Sequence, residues 1–283
     1  MAGVSMPPEA FSLPDPGGEL ISRVSGSPDR AAFFWSGRES VRALERTLAN
    51  AGRALDSFES ALDFGCGCGR MLLWMEELAG TCALHGTDID AKAIAWCRQH
   101  IPYANVTVNG ADPPLPYPDG AFDLVFNHSV FTHIDEHRQD MWLSELQRVT
   151  RPGALVVLSV HGEFALPDGA WEIRDRLERD GIAFMDDGVP KDTPFPEWYR
   201  NTWHAPWYVF EHWGRWFEIR AYLPHAALSF QDHVLLERPS GRAPRHQPLA
   251  ARPRLPAEGA IESRVASALA AARAYRAPAP TRQ

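Results

Sequence analysis

Three glycines stand at alternate positions in the stretch LDFGCGCGR, at Gly65, Gly67 and Gly69, directly after a short apolar run that ends in the acid Asp63. A residue without a Cβ reaches backbone angles that strain other side chains and lets a ligand approach the main chain closely. The turn is therefore expected to be a cradle of N–H groups. A second acid, Asp88, ends the next apolar run in LHGTDID, roughly 20 residues on, where a carboxylate accepts hydrogen bonds from ribose hydroxyls. Turn and acid together point to a nucleoside. The dinucleotide fingerprint wants another glycine three residues after the second, and Arg70 holds that place. This argues against an NAD-dependent dehydrogenase.

Imidazoles supply the candidate bases, because their unperturbed pKa lies near neutral pH. His128 follows the run AFDLVF, His161 ends LSV, and His204 lies with Tyr208 in YRNTWHAPWYVF. For each alone a structural role is the simpler reading. As a set they favour at least one acting on a substrate, and His161 ranks first because LSVHG leads straight into a long irregular segment. Trp198, Trp203 and Trp207 suit a cationic ligand or, more simply, fill a core. Asp232, in QDH, reads either as a site residue or as an ordinary edge-strand polar group. Cys66 and Cys68 lack the second thiol pair that a zinc site wants, so no metal is expected.

The elements that must position these residues follow from periodicity. Between Ala61 and Val160, short apolar runs alternate with helical patterns such as GRMLLWMEELAG, DAKAIAWCRQHIP and DEHRQDMWLSELQRV. That order predicts right-handed crossovers and a parallel sheet covered on both faces. FEIRAYLP and QDHVLLERP read as a hairpin-like pair near the end of this region. Upstream, Ser36 and Glu39 have capping-box spacing and predict a helix start, with Val41, Leu44 and Leu48 on its apolar stripe. Residues 1–35 read as an irregular arm or lid, 36–238 as the main domain with a substrate-region insertion at 162–216 containing a helix near 170–180, and 239–283 as a Pro/Ala/Arg-rich tail. In the tail, Ile261, Val265 and Leu269 space as a short amphipathic helix. Either it packs or dimerises, or the tail is largely disordered.

Composition narrows the classes. A net charge of −8 argues against nucleic acid and anionic membranes as partners, and no apolar run reaches the length of a bilayer span. Four scattered cysteines and no leader-like segment read as a reducing cytoplasm. A small molecule is the expected partner, with a homodimer through the tail as the alternative use of its helix.

LDFGCGCGR, LHGTDID, LPYPDGAFDLVFNHSVFTHI and ELQRVTRPGALVVLSVHG together resemble the successive motifs of class I S-adenosylmethionine-dependent methyltransferases, over roughly residues 58–162. The resemblance implies a doubly wound α/β fold. Its sheet is seven-stranded and mostly parallel, with order 3-2-1-4-5-7-6 and strand 7 antiparallel. It also implies S-adenosyl-L-methionine as cofactor. On that basis Gly65, Gly67 and Gly69 face the methionyl part, with Asp63 at the loop or the amino group and Arg70 at the carboxylate or in a surface ion pair. Asp88 binds the ribose, Ile89 flanks the adenine, and Asn127 meets the methionyl end. His133 resembles a histidine frequent in the family. Relatives often have an acid directly after the glycine of a G-D-A turn, whereas NGADPP places Asp112 one residue later. The implied activity is methyl transfer to O or N of a small molecule, a secondary metabolite or sugar. A cofactor-binding scaffold without catalysis is the rival.

Overall fold

The computed structural model describes residues 5–185, 195–196 and 198–241. The helix expected around Ile261 lies outside the described residues. Strands β1 (Ser60–Phe64), β2 (Ala83–Asp88), β3 (Ala104–Val108), β4 (Phe122–Phe126) and β5 (Thr150–Val160) pair in parallel. After β6 (Ile182–Met185) and β7 (Asn201–His204), which form a separate antiparallel pair, come β8 (Glu218–Ala227) and β9 (Gln231–Glu237). The main sheet runs β3-β2-β1-β4-β5-β9-β8, with β9 antiparallel to both neighbours. It is the expected seven-stranded order, with β8 and β9 as its sixth and seventh strands.

Burial on both faces explains the near-continuous apolar strands. In β5, Leu155 and Val157 join one core while Val156, Leu158 and Val160 join the other. In β4, Leu124 and Phe126 take the first face and Val125 the second. The period of two thus feeds two cores at once.

The amino-terminal residues depart from the expected irregular arm. Helix α1 spans Gly18–Ser25, and α2 spans Arg30–Ala49, starting six residues before the expected position at Ser36. The Asp29 side chain caps α2 by accepting from the Ala32 N–H at 3.1 Å, an interaction of about 1 kcal/mol. Ser36 is buried inside the helix and donates back to the Phe33 carbonyl at 2.9 Å. The apolar stripe therefore begins with Phe33 and Phe34, both fully buried. Further along, α3 (Ala91–His100) and α4 (Glu136–Val149) cover the sheet, and α5 (Trp171–Arg179) falls within the predicted 170–180. Among the described residues no helix is long and apolar enough to cross a membrane.

Candidate active site

A cavity of about 740 Å³ opens over the carboxyl ends of β1, β2, β4 and β5, where open parallel sheets bind ligands. Asp63, Gly65, Gly67, Arg70, Asp88, Ile89, His128 and His161 line it. Gly69, Asp112, Asn127 and His204 are not among its lining residues.

The glycine turn works differently from an open N–H cradle. The Gly65 and Cys66 N–H groups both donate to the Thr87 carbonyl, at 2.8 and 2.9 Å, and Gly67 N–H donates to Asp88 Oδ2 at 2.7 Å. The N–H groups expected for the ligand are committed to β2 and its terminal acid. Positive φ angles of 82° at Gly65 and 54° at Gly67 still require residues without a Cβ. A side chain at Gly67 would run into Val24 of α1, so the amino-terminal helix roofs the turn. Gly69 faces Ile101 at the end of α3 and serves helix packing. Asp88 Oδ1 accepts from the Asp90 N–H at 2.8 Å, so one carboxylate ties two strand ends together.

Asp63 and Arg70 are both buried, at 2% and 9% exposure, and neither makes a side-chain hydrogen bond or ion pair within the described residues. Burial pushes the Asp63 carboxyl up to about 8, with the Arg70 charge pulling the other way. Burial likewise lowers Arg70, opposed chiefly by Asp63. A buried guanidinium and a buried carboxyl without hydrogen-bond partners among the described residues, facing one cavity, are expensive in an empty protein. His128, 8% exposed and also without a hydrogen-bond partner, is held well below its ordinary value by burial and then by the Arg70 charge. Asn109, at the end of β3, lines the cavity too, and its buried Oδ1 accepts no hydrogen bond.

The other half of the cavity carries rings. Phe195 and Tyr199 stack at 4.5 Å and Tyr199 and His133 at 4.3 Å, in a column that the edge of His161 meets at 6.0 Å from His133. Trp198 lines the same side and carries Arg138 over its ring. Burial depresses His161 to about 4, so its imidazole is neutral at physiological pH.

Several sequence assignments need correction. His204 bonds Gln139 Oε1 at 3.0 Å beneath Trp213 and is a core residue. Asn127 accepts from the Ser159 N–H at 3.0 Å and so joins β4 to β5. Asp112 lies mostly exposed, 3.4 Å from Arg138, while its neighbours Asn109 and Ala111 line the cavity. Asp232 faces away, bonded by Tyr222 at 2.7 Å. Asn109 and Gln231 were missed. The first sits one residue before the glycine of the turn searched for an acid, and the second opens the strand singled out for Asp232.

A methyltransferase-domain family model matches residues 62–158, from β1 to the end of β5. Over those residues the chain is similar to methyltransferase domains. Over 171 residues the chain is 30% identical to a malonyl-[acyl-carrier protein] O-methyltransferase of Serratia marcescens, covering 58% of this chain and 60% of that protein. It is 31% identical over 135 residues to an ajmaline N-methyltransferase of Rauvolfia serpentina, covering 42% and 41%. An uncharacterised methyltransferase of Synechocystis is 27% identical over 105 residues, covering 37% of this chain and 48% of its own. The chain spans about half the length of the curated relatives it matches. In fold, the domain is similar to the crystal structure of a SAM-dependent methyltransferase of Methanosarcina mazei, with TM-score 0.50 and 18% identity over 67% of this chain and 96% of that one. A Pyrococcus horikoshii protein gives TM-score 0.52 at 16% identity, over 71% and 90%.

The residues present fit the cofactor of this class. Its methionyl part is a zwitterion, and beside the Gly65–Gly67 turn Arg70 offers a cation and Asp63 a carboxyl that an arriving ammonium would ionise.

Proposed function

We propose that the chain transfers a methyl group from S-adenosylmethionine to an oxygen or nitrogen of a small molecule, a secondary metabolite or sugar. The observation that carries this reading is the buried Arg70 guanidinium and the buried Asp63 carboxyl, neither with a hydrogen-bond partner among the described residues, in one cavity with the ring-lined half. Arg70 takes the cofactor carboxylate and Asp63 its ammonium; Asp88 takes the ribose, Ile89 flanks the adenine, and Asn109 Oδ1 accepts from the adenine amino group. When bound, the cofactor supplies a methyl group on a positively charged sulfur and departs as a neutral thioether. The protein then has three tasks: aligning the acceptor, excluding water and accepting a proton. Residues 22–36 close the cofactor side, and Phe195, Trp198, Tyr199 and Asn201, within the insertion, line the acceptor side. The printed activities of the Serratia and Rauvolfia proteins, on oxygen and on nitrogen, support either acceptor atom. Four free cysteines support a reducing compartment, the cytoplasm.

His161 is the base. With its pKa depressed to about 4 it stays unprotonated from pH 5 upward, so turnover should show no acid limb between pH 6 and 7. The test follows S-adenosylhomocysteine formation over a panel of phenols, sugars and amines. His161→Ala should lower turnover by roughly 10² to 10⁴ while cofactor affinity holds. Equal turnover in the variant removes the base assignment, and no cofactor binding in the wild type removes the function.

A further inference from the structure

β9 runs antiparallel to β5, so its first residue, Gln231, stands at the sheet edge where the parallel strands end, diagonally beyond the Val160–Asp232 pair and next to His161. Gln231 is 2% exposed and lines the cavity. Its Nε2 donates to Ser129 Oγ at 2.6 Å and lies 3.4 Å from His161 Nε2. Ser129, just past β4, sits at φ 64°, unusual for a residue with a side chain, and its N–H donates to Ser159 Oγ at 2.7 Å. Strained backbone held by its surroundings concentrates at functional sites. Three strand ends thus combine to place one amide group against one imidazole.

We infer that Gln231 is the positioning and specificity residue of the acceptor site, and that the acceptor it selects is a neutral hydroxyl. The inference rests on the methyl-transfer reading. An amide N–H directed at His161 Nε2 leaves the imidazole lone pair there and puts its hydrogen on Nδ1. The 3.4 Å contact is long for a hydrogen bond. A hydroxyl seated beside the pair, within about 2.8 Å of each nitrogen, replaces it with two shorter bonds, because it accepts from Gln231 Nε2–H while donating to His161 Nε2. It is then aligned and poised to lose its proton to His161 as the O–CH3 bond forms. A carboxylate has no proton to donate and an ammonium no lone pair to accept with, so each satisfies only one of the two groups. Around this end of the cavity the described lining is Ser129, His133, His161, Phe195, Tyr199 and Phe230, none of which offers a counter-charge at neutral pH. The charged residues that line the cavity come from the cofactor turn, the end of β2 and the amino-terminal segment, and of these Arg70 and Asp88 reach Tyr199 electrostatically.

The test is ¹⁵N–¹H NMR of the histidine side chains in the full chain, with S-adenosylhomocysteine added and then phenol or benzoate as probe. Expected are the Nδ1–H tautomer of His161 in the wild type, a shift of its Nε2 resonance with phenol, and none with benzoate. Gln231→Leu should weaken the phenol response at least tenfold and leave S-adenosylhomocysteine affinity within about twofold. Ser129→Gly suits the positive φ and removes the hydroxymethyl group that accepts from Gln231, and it should weaken phenol several-fold. An Nε2–H tautomer, no phenol response in the wild type, an equal response in the variants, or benzoate binding as well as phenol overturns the inference. Failure of S-adenosylhomocysteine to bind overturns the methyl-transfer reading instead. The tautomer measurement needs neither variant nor cofactor.

Discussion

Asp63 is a carboxyl group that the empty protein keeps mostly protonated at pH 7, since burial raises it to about 8. An ammonium arriving beside it favours the charged form and draws the pKa back down. Cofactor binding at pH 7 should therefore release close to one proton. Calorimetry in buffers of different ionisation enthalpy measures this directly. The observed heat should vary linearly with buffer ionisation enthalpy in the wild type, with a slope of about one proton released, and should lose that dependence in Asp63→Asn; a wild type with no buffer dependence would remove Asp63 from the ammonium site. Arg70 offers the complementary check. Its charge helps to hold His128 low, so Arg70→Met should weaken the cofactor and raise the His128 pKa together, as read by NMR titration.

At the scale of elements, α1 is fastened across the cofactor side by two sets of contacts of unequal value. Arg23 Nη1 donates to both Asp90 carboxylate oxygens, at 3.0 and 2.8 Å, and Asp90 in turn caps α3 through the Lys92 and Ala93 N–H groups. Lys92 also bonds Glu19 at 2.6 Å, with both side chains more than half exposed. Exposed pairs contribute little and are screened by salt. Arg23→Met should accordingly speed cofactor release by about tenfold, the equivalent of a charged hydrogen bond of about 1.4 kcal/mol, and Lys92→Met should change it little. Stopped-flow release rates for the two variants check this, and equal rates would mean that α1 does not hold the cofactor. α1 itself was not legible in the sequence. Gly17 and Gly26 flank a helix of only eight residues that itself opens with Gly18, too short for periodicity to stand out against its punctuation. The sheet was legible because two buried faces demand unbroken apolar strands, and those at β1, β4 and β5 are conspicuous. The glycine turn was legible as a turn but not as to where its N–H groups go, since Thr87 and Asp88 come from another strand. His128 and His161 could be placed at strand ends, but the burial of His204 and the approach of Gln231 to His161 depend on how β7 and β9 pack.

Across the whole molecule, among the described residues, imidazoles are held neutral at His128, His204 and His233, which are buried, and at His133 and His161, which are half-buried at the cavity. Burial leads in every case and holds His161 and His233 at about 4 and His133 and His204 at about 3. Unfolding restores values near 6.5, so between about pH 6.5 and 4 the unfolded chain binds more protons and stability falls as pH falls. Each such histidine contributes a slope approaching 1.4 kcal/mol per pH unit. Asp63 acts in the opposite sense, because its raised folded value makes stability decline as pH rises toward about 8. Urea midpoints should therefore be highest near neutrality and drop steeply below pH 6. A midpoint unchanged between pH 6.5 and 4.5 would show that these imidazoles are not held neutral.

The segment between β5 and β8 leaves the sheet at the carboxyl end of β5 and rejoins it at the opposite end, where Glu218 pairs with Glu237, and it carries its own two-stranded pair, β6 with β7, stitched to the end of β5 through a bridge between His161 and Trp203. None of its hydrogen bonding is needed to complete the ladder of the seven-stranded sheet. Its later part is not separable in the same way, since Ala205, Trp207, Val209, Trp213 and Phe217 pack in one core with Leu62, Val125 and Val156 of the sheet; a graft meant to change the acceptor would exchange the cavity rings and keep this aromatic floor.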